Sequence, residues 1–226
     1  EKTVKQWHRN QQIRAAQDRR GHAATWHLDG LQQLQSGTPS PAGNFALSLD
    51  GATSHVRVQD FVYRGKTPIT LECFVQPASI PGRESTVIGN VNFAGVGFGL
   101  DRTGCWPAFS AHRSSSRRGF EYAYAKSDSK AVIGRRVHVA AVFANGQIAL
   151  FVDGNKVDSV ATSEHLASEF EFQLGADPQS DGRPEQFFHG TIDEVRFSDV
   201  ARYEADFVPA ARHVPDSNTL VLYHMD

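Results

Sequence analysis

Two turn dipeptides, Asn145-Gly146 and Asp153-Gly154, constrain this chain more than any other feature. They lie inside the run VHVAAVFANGQIALFVDGNKV, from Val137 to Val157. Asn-Gly and Asp-Gly supply the positive φ angles that tight hairpin turns require. Between them, Ile148 to Val152 is a short apolar stretch of strand length. The run therefore predicts three antiparallel strands joined by two tight turns, and with them an all-β chain.

The rest of the sequence continues the pattern. Phe45 to Leu49 alternates and stops at Asp50-Gly51, and Val56 and Val58 keep period two. ITLECFV (Ile69–Val75) ends near Pro77. Ser85–Asn90, Val96–Leu100 and Gly119–Ala125 follow, separated by turn residues. Beyond the central hairpins come Phe170–Leu174, Gly190–Phe197 and Thr219–Tyr223. Many short strands divided by turn signals predict a sandwich. At 226 residues, one such domain accounts for the chain.

Residues 1–24 read differently. They hold no Pro and a single Gly, and are rich in Gln, Arg and Ala, which predicts a helical arm or linker ahead of a domain over 25–226. Residues 1–20 carry six Lys/Arg against two Asp/Glu, in a chain whose net charge is only −2. That overall balance gives no electrostatic reason to expect nucleic acid as a partner. No stretch approaches the roughly 18 apolar residues of a membrane span, so no membrane insertion is expected. The chain starts without Met and reads as one module of a longer protein.

Several pieces, in order, resemble one family. ALSLDG (Ala46–Gly51), TLECFVQP (Thr70–Pro77), the hairpins of Val137–Gly154 and HGTIDEVRF (His189–Phe197) are similar to stretches of laminin-G-like modules. These belong to the concanavalin A-like lectin/glucanase superfamily. The likeness runs over about residues 26–208. It implies a jelly-roll sandwich of two antiparallel sheets and a non-catalytic module that recognises carbohydrate or a protein surface. It also implies a multidomain, bacterial, extracytoplasmic parent (periplasmic, cell-surface or secreted). A structural spacer is the alternative function, and a glycoside hydrolase the remoter one. Two positions depart from the family pattern. Phe74 and Arg136 stand where Trp is usual, read as a core exchange of similar volume and as a more exposed edge.

Candidate chemistry is sparse. Retaining glycosidases need two carboxylates about 5 Å apart on one face. Asp193 and Glu194 are adjacent, so strict alternation sends them to opposite faces and gives them structural work. The ten His show no i,i+2 or i,i+4 pairs, which argues against a metal centre built from them. In LGADPQSDG (Leu174–Gly182), Asp177, Gln179 and Asp181 place oxygens at alternate positions, a pattern that suits calcium. The loop resembles the calcium loop of pentraxins, with Glu84 as a further ligand; a solvated turn is the plainer reading. Phe120, Tyr122 and Tyr124 share one face of a strand, either as sugar platform or as packing. The basic loop before them offers Arg113, Arg117 and Arg118 to acidic or sulfated sugars. Cys73 and Cys105 read as buried free thiols, with a disulfide as the alternative.

Overall fold

A computed structural model of the chain describes residues 24–26, 45–65 and 68–225. The arm expected over residues 1–24 lies outside these, Ala24 excepted. Every regular element among the described residues is a strand. The first three, β1 (Ala24–Trp26), β2 (Leu47–Asp50) and β3 (Val56–Arg57), are short. Then come β4 (Ile69–Pro77), β5 (Ser85–Gly89), β6 (Val96–Leu100), β7 (Cys105–Arg113) and β8 (Phe120–Lys130). The central meander is β9 (Val137–Ala144), β10 (Gln147–Val152) and β11 (Asn155–Ala161). Three short pieces follow, β12 (Gln173–Leu174), β13 (Asp177–Pro178) and β14 (Pro184–Glu185). The last two are β15 (His189–Ser198) and β16 (Thr219–Tyr223).

The two hairpins form as their dipeptides dictate. Asn145 and Gly146 sit at φ 51° and 67°, and Asp153 and Gly154 at φ 49° and 79°. All four have the sign that matches strand twist. Register runs Gln147↔Ala144 on one side of β10 and Val152↔Asn155 on the other.

Two main sheets make the sandwich. The eight-stranded sheet has the order β1-β16-β15-β4-β9-β10-β11, with β2 paired to β15. The six-stranded sheet runs β3-β12-β5-β6-β7-β8. Pairing is antiparallel except between β1 and β16. Alternate residues of both sheets, with Phe172 just ahead of β12, fill the space between them; Leu71, Phe98, Phe143, Leu150, Phe172 and Phe197 are all buried. Each such side chain contributes about 1.5–3 kcal/mol by leaving water. At one side of the sandwich the edge strands β8 and β11 meet, where the Lys126 N–H donates to Asp158 Oδ2 at 2.8 Å.

Strand β7 forms over Cys105–Arg113, where the sequence carries no clear strand signal. Pro107 argues against a strand because it has no N–H to donate. The structure accommodates it at a shift of register between Cys105 and Pro107.

A segment without regular structure, residues 199–218, straps the outer face of the eight-stranded sheet. There Ala140, Val142, Ala149 and Phe151 form a second small core with Tyr203 and Phe207. The Tyr203 and Phe207 rings stack in parallel at 3.5 Å.

The two departures from the family pattern meet each other. Phe74 is half-buried on this outer face and not in the main core, which corrects the expected core exchange. The Arg136 guanidinium lies 3.7 Å from its ring centroid and also holds Asp193 Oδ2 at 3.0 Å. Cys73 and Cys105 are both buried, free thiols.

Candidate functional site

The outer face of the six-stranded sheet is built by register. One row crosses it as Arg57, Gln173, Gly89, Gly97, Phe109 and Tyr124. The two glycines leave the middle of the row bare, and neighbours close over them. A Cβ on Gly97 would come within 2.7 Å of the Ile88 carbonyl and 3.0 Å of the Phe109 ring. A Cβ on Gly89 would come within 2.7 Å of Asp177 Oδ1. The β13–β14 hairpin lies beside β5, and Phe187, just after it, bridges to Thr86.

Along β8 the side chains of Phe120, Tyr122 and Tyr124 share this face, as alternation requires. Their ring centroids are 5.6 and 6.4 Å apart. Phe93 extends the series at 5.4 Å from Phe120, and Phe109 joins Tyr124 at 6.4 Å. Three of these rings are open to solvent, Phe93 at 57%, Tyr122 at 38% and Tyr124 at 54%.

Phe93 is held in an unusual conformation. Its φ is 58°, a region that costs a non-glycine residue about 1–3 kcal/mol. Its N–H donates to Tyr122 Oη at 3.0 Å. Its turn is tied down on the other side, where Val91 N–H donates to Asp177 Oδ1 and Asn92 Nδ2 to the Pro178 carbonyl. Sequence reasoning missed Phe93 and Phe109. A lone Phe inside the turn Asn90–Gly95 was the available signal, since such turns are otherwise polar.

The residues expected to bind ligand divide into two groups. The structure brings Tyr122 and Tyr124 into the ring series. Arg117 and Arg118 are exposed on the turn just before Phe120. Arg113 closes β7 and faces Glu164 at 3.5 Å. Of the expected metal ligands, Asp177 is buried, and burial pushes its carboxyl well above the ordinary range. Asp181 is exposed and paired with Arg183, whose backbone and side chain lower its pKa. The Gln179 N–H donates to the Arg183 carbonyl and closes the loop, while Glu84 is exposed. Glu84, Asp177 and Asp181 do not gather as one donor group among the described residues. Glu84 and Asp177 do exert their charges on the ring series: burial first, then Asp177, raises the Tyr122 pKa. Burial, Tyr122 and Glu84 raise that of Tyr124.

A fully enclosed polar group lies elsewhere, under the 199–218 strap. Glu72 on β4 is fully buried. Its Oε1 accepts from Arg196 Nε at 2.8 Å; its Oε2 lies 3.1 Å from His138 Nε2 and accepts from Tyr203 Oη at 2.8 Å. Burial works against the charge, but the His138 bond and the nearby positive groups outweigh it and hold the carboxyl at about 2. His213 reaches in from the strap, its Nε2 3.7 Å from Glu72 Oε2. Burial pushes its pKa down to about 4.

Asp193 and Glu194 are also engaged, though not by simple alternation. Register shifts between Asp193 and Arg196, and Glu194 takes φ 50°. This irregularity breaks the strict alternation expected of them. Asp193 holds Arg136, while Glu194 accepts the His213 N–H at 2.7 Å and faces His224 Nδ1 at 2.8 Å. Both do structural work.

Comparison with known proteins gives the same architecture. No curated protein sequence matches the chain. Among solved structures, a native heptameric SAP-like pentraxin from Limulus polyphemus superposes with TM-score 0.51 at 12% identity, covering 79% of this chain and 94% of that one. Domains LG4-5 of the mouse laminin alpha1 chain give 0.53 at 15%, over 76% of this chain and 47% of that one. A candidate carbohydrate binding protein from Bacteroides ovatus gives 0.54 at 16%, over 84% and 56%. The chain thus spans about half the length of the latter two. Residues 50–206, from the end of β2 through the strap's Tyr203, match the Laminin_G_3 family model. With the sandwich and its two sheets in place, that match assigns the chain to the concanavalin A-like lectin/glucanases superfamily.

Proposed function

We propose that the chain is a non-catalytic carbohydrate-recognition module of a larger, extracytoplasmic protein, and that its ligand lies along the rings of β8. One observation carries this reading. Phe93, Tyr122 and Tyr124 are exposed, and with Phe120 they form a continuous series at 5.4–6.4 Å spacing. Large aromatic rings left in water and fixed by packing are a binding surface in waiting. The apolar C–H faces of pyranose rings stack on such rings, and the tyrosine hydroxyls offer hydrogen bonds beside them. Arg117 and Arg118 stand next to Phe120 and would meet acidic or sulfated groups at that end. A protein ligand would use the same patch, since Tyr and Phe are enriched in protein interfaces.

Calcium belongs to this reading only through Asp177. Asp181 is committed to Arg183, and Asp177 already accepts from Val91. Thermal unfolding with calcium and with EDTA tests it; a rise in Tm lost in Asp177→Ala would add the ion to the site.

Calorimetry against a panel of neutral, acidic and sulfated glycans tests the main reading. Binding should occur and fall at least tenfold in Tyr124→Ala, whose side chain is exposed enough for the fold to tolerate its loss. Binding unaffected by Tyr124→Ala and Tyr122→Ala would refute the placement. Glycan hydrolysis by the same samples would refute the non-catalytic assignment.

A further inference from the structure

One cluster of metal-ligating side chains serves no part of the recognition site. Among the described residues, Glu72, His138 and His213 are the one group of three or more His, Cys, Asp or Glu whose donor atoms lie within 4.8 Å of one another. All three are buried. They come from β4, from β9 and from the strap, far apart in sequence, so no spacing motif announces them.

Two of the three donors, Glu72 Oε2 and His138 Nε2, face each other, and the third, His213 Nε2, is unused. Neither ring nitrogen of His213 has a hydrogen-bond partner, nor does His138 Nδ1. His213 is only 2% exposed, and a buried imidazole N–H without a partner costs about 1–3 kcal/mol. Two donors each about 2.1 Å from a tetrahedral zinc ion lie roughly 3.4 Å apart. Here Glu72 Oε2 is 3.1 Å from His138 Nε2 and 3.7 Å from His213 Nε2. Arg196 occupies the other carboxylate oxygen, Oε1, while Oε2 faces both imidazoles and accepts from Tyr203 Oη.

We propose that Glu72 Oε2, His138 Nε2 and His213 Nε2 form a binding site for one zinc ion, which ties the 199–218 strap to the eight-stranded sheet. His138 meets the ion with an unprotonated Nε2. A proton on that nitrogen moves to Nδ1 or to solvent when the ion binds. Tyr203 Oη, 2.8 Å from Glu72 Oε2, is the candidate for a fourth position, in competition with the bond it accepts from Arg196 Nη2 at 3.1 Å. Two features set the strength. Arg196 is in contact with Glu72, and Arg202 lies 4.0 Å from it while bonded to Asp216. Their positive charges oppose a further cation. Nor does either imidazole have an acceptor for its second nitrogen, which weakens a site about 10–100-fold against one that does. The site is therefore a modest binder whose effect is on the strap.

Cobalt(II) is the probe, added to the full chain carrying no histidine tag. One equivalent should bind, give the visible absorption of a tetrahedral ion, and be displaced by zinc. Zinc should raise Tm relative to EDTA. His213→Ala should lose the absorption and the zinc-dependent shift while unfolding cooperatively in EDTA. His138→Gln, which keeps a donor for Glu72, provides the same loss should His213→Ala not fold. Wild-type protein that takes up no cobalt, or uptake that survives in both variants, overturns the proposal.

Discussion

The Tyr122 hydroxyl oxygen accepts the backbone N–H of Phe93 at 3.0 Å, so two exposed aromatic rings on different elements are fixed by one hydrogen bond. The bond restrains a residue at positive φ and sets where the ring series ends.

Tyr122→Phe keeps the ring and removes the acceptor. We expect a loss of about 1 kcal/mol in stability, typical of one hydrogen bond, and a severalfold loss in glycan affinity as Phe93 drifts. Urea unfolding and calorimetry measure the two. A variant matching wild type in both would mean that the Phe93 turn is held by Asp177 and Pro178 alone.

Glu72→Gln leaves Arg196 buried without its counter-charge. Removing one partner of a buried pair costs about 3–5 kcal/mol. The urea midpoint should drop accordingly; a change under about 1 kcal/mol would place this pair with surface ion pairs in its energetic weight.

Acid should unfold the protein in two stages with the same sign. The unfolded chain protonates His213 near 6.5, but the fold resists until about 4. Stability thus falls as pH drops from about 6.5 to 4. Glu72 is held at about 2 against an ordinary 4.5, so its contribution is whole above 4.5 and is lost on the way down to 2. Tm measured at half-unit steps of pH should show both slopes. His213→Ala should flatten the upper one alone; an unchanged upper slope would assign it to another group.

Asp177 works in the opposite direction. Its carboxyl is raised by burial, so its favourable contribution exists below 3.8 and is lost as pH rises through the raised value. Asp177→Asn retains an oxygen to accept Val91 N–H and removes the charge. The variant should melt higher than wild type at pH 7.5 and close to it at pH 4. A lower Tm at pH 7.5 would mean that the ionised carboxylate is favourable where it stands.

Strands were legible wherever a local signal was strong. Asn145-Gly146 and Asp153-Gly154 defined the meander because their backbone demands are independent of context. Period two placed Tyr122 and Tyr124 on one face because alternation needs no tertiary information. Strand β7 was hidden by Pro107, whose missing N–H matters only in a regular ladder. Asp193 and Glu194 were assigned to opposite faces because an irregularity in the ladder leaves no mark in a sequence that otherwise alternates. The Glu72 cluster was invisible for a different reason: its members become neighbours only when the strap closes over two strands. Spacing along the chain carries no record of that.

The contact between Arg136 and Phe74 has a practical consequence for protein engineering. Consensus design would restore Trp at each position separately, treating the two as independent sites. They are one site. Trp in place of Arg136 alone strips Asp193 of its counter-ion, and Trp in place of Phe74 alone enlarges the ring on which the guanidinium rests, between His138 and His213. Any redesign of this surface has to exchange both residues together or leave both as they are.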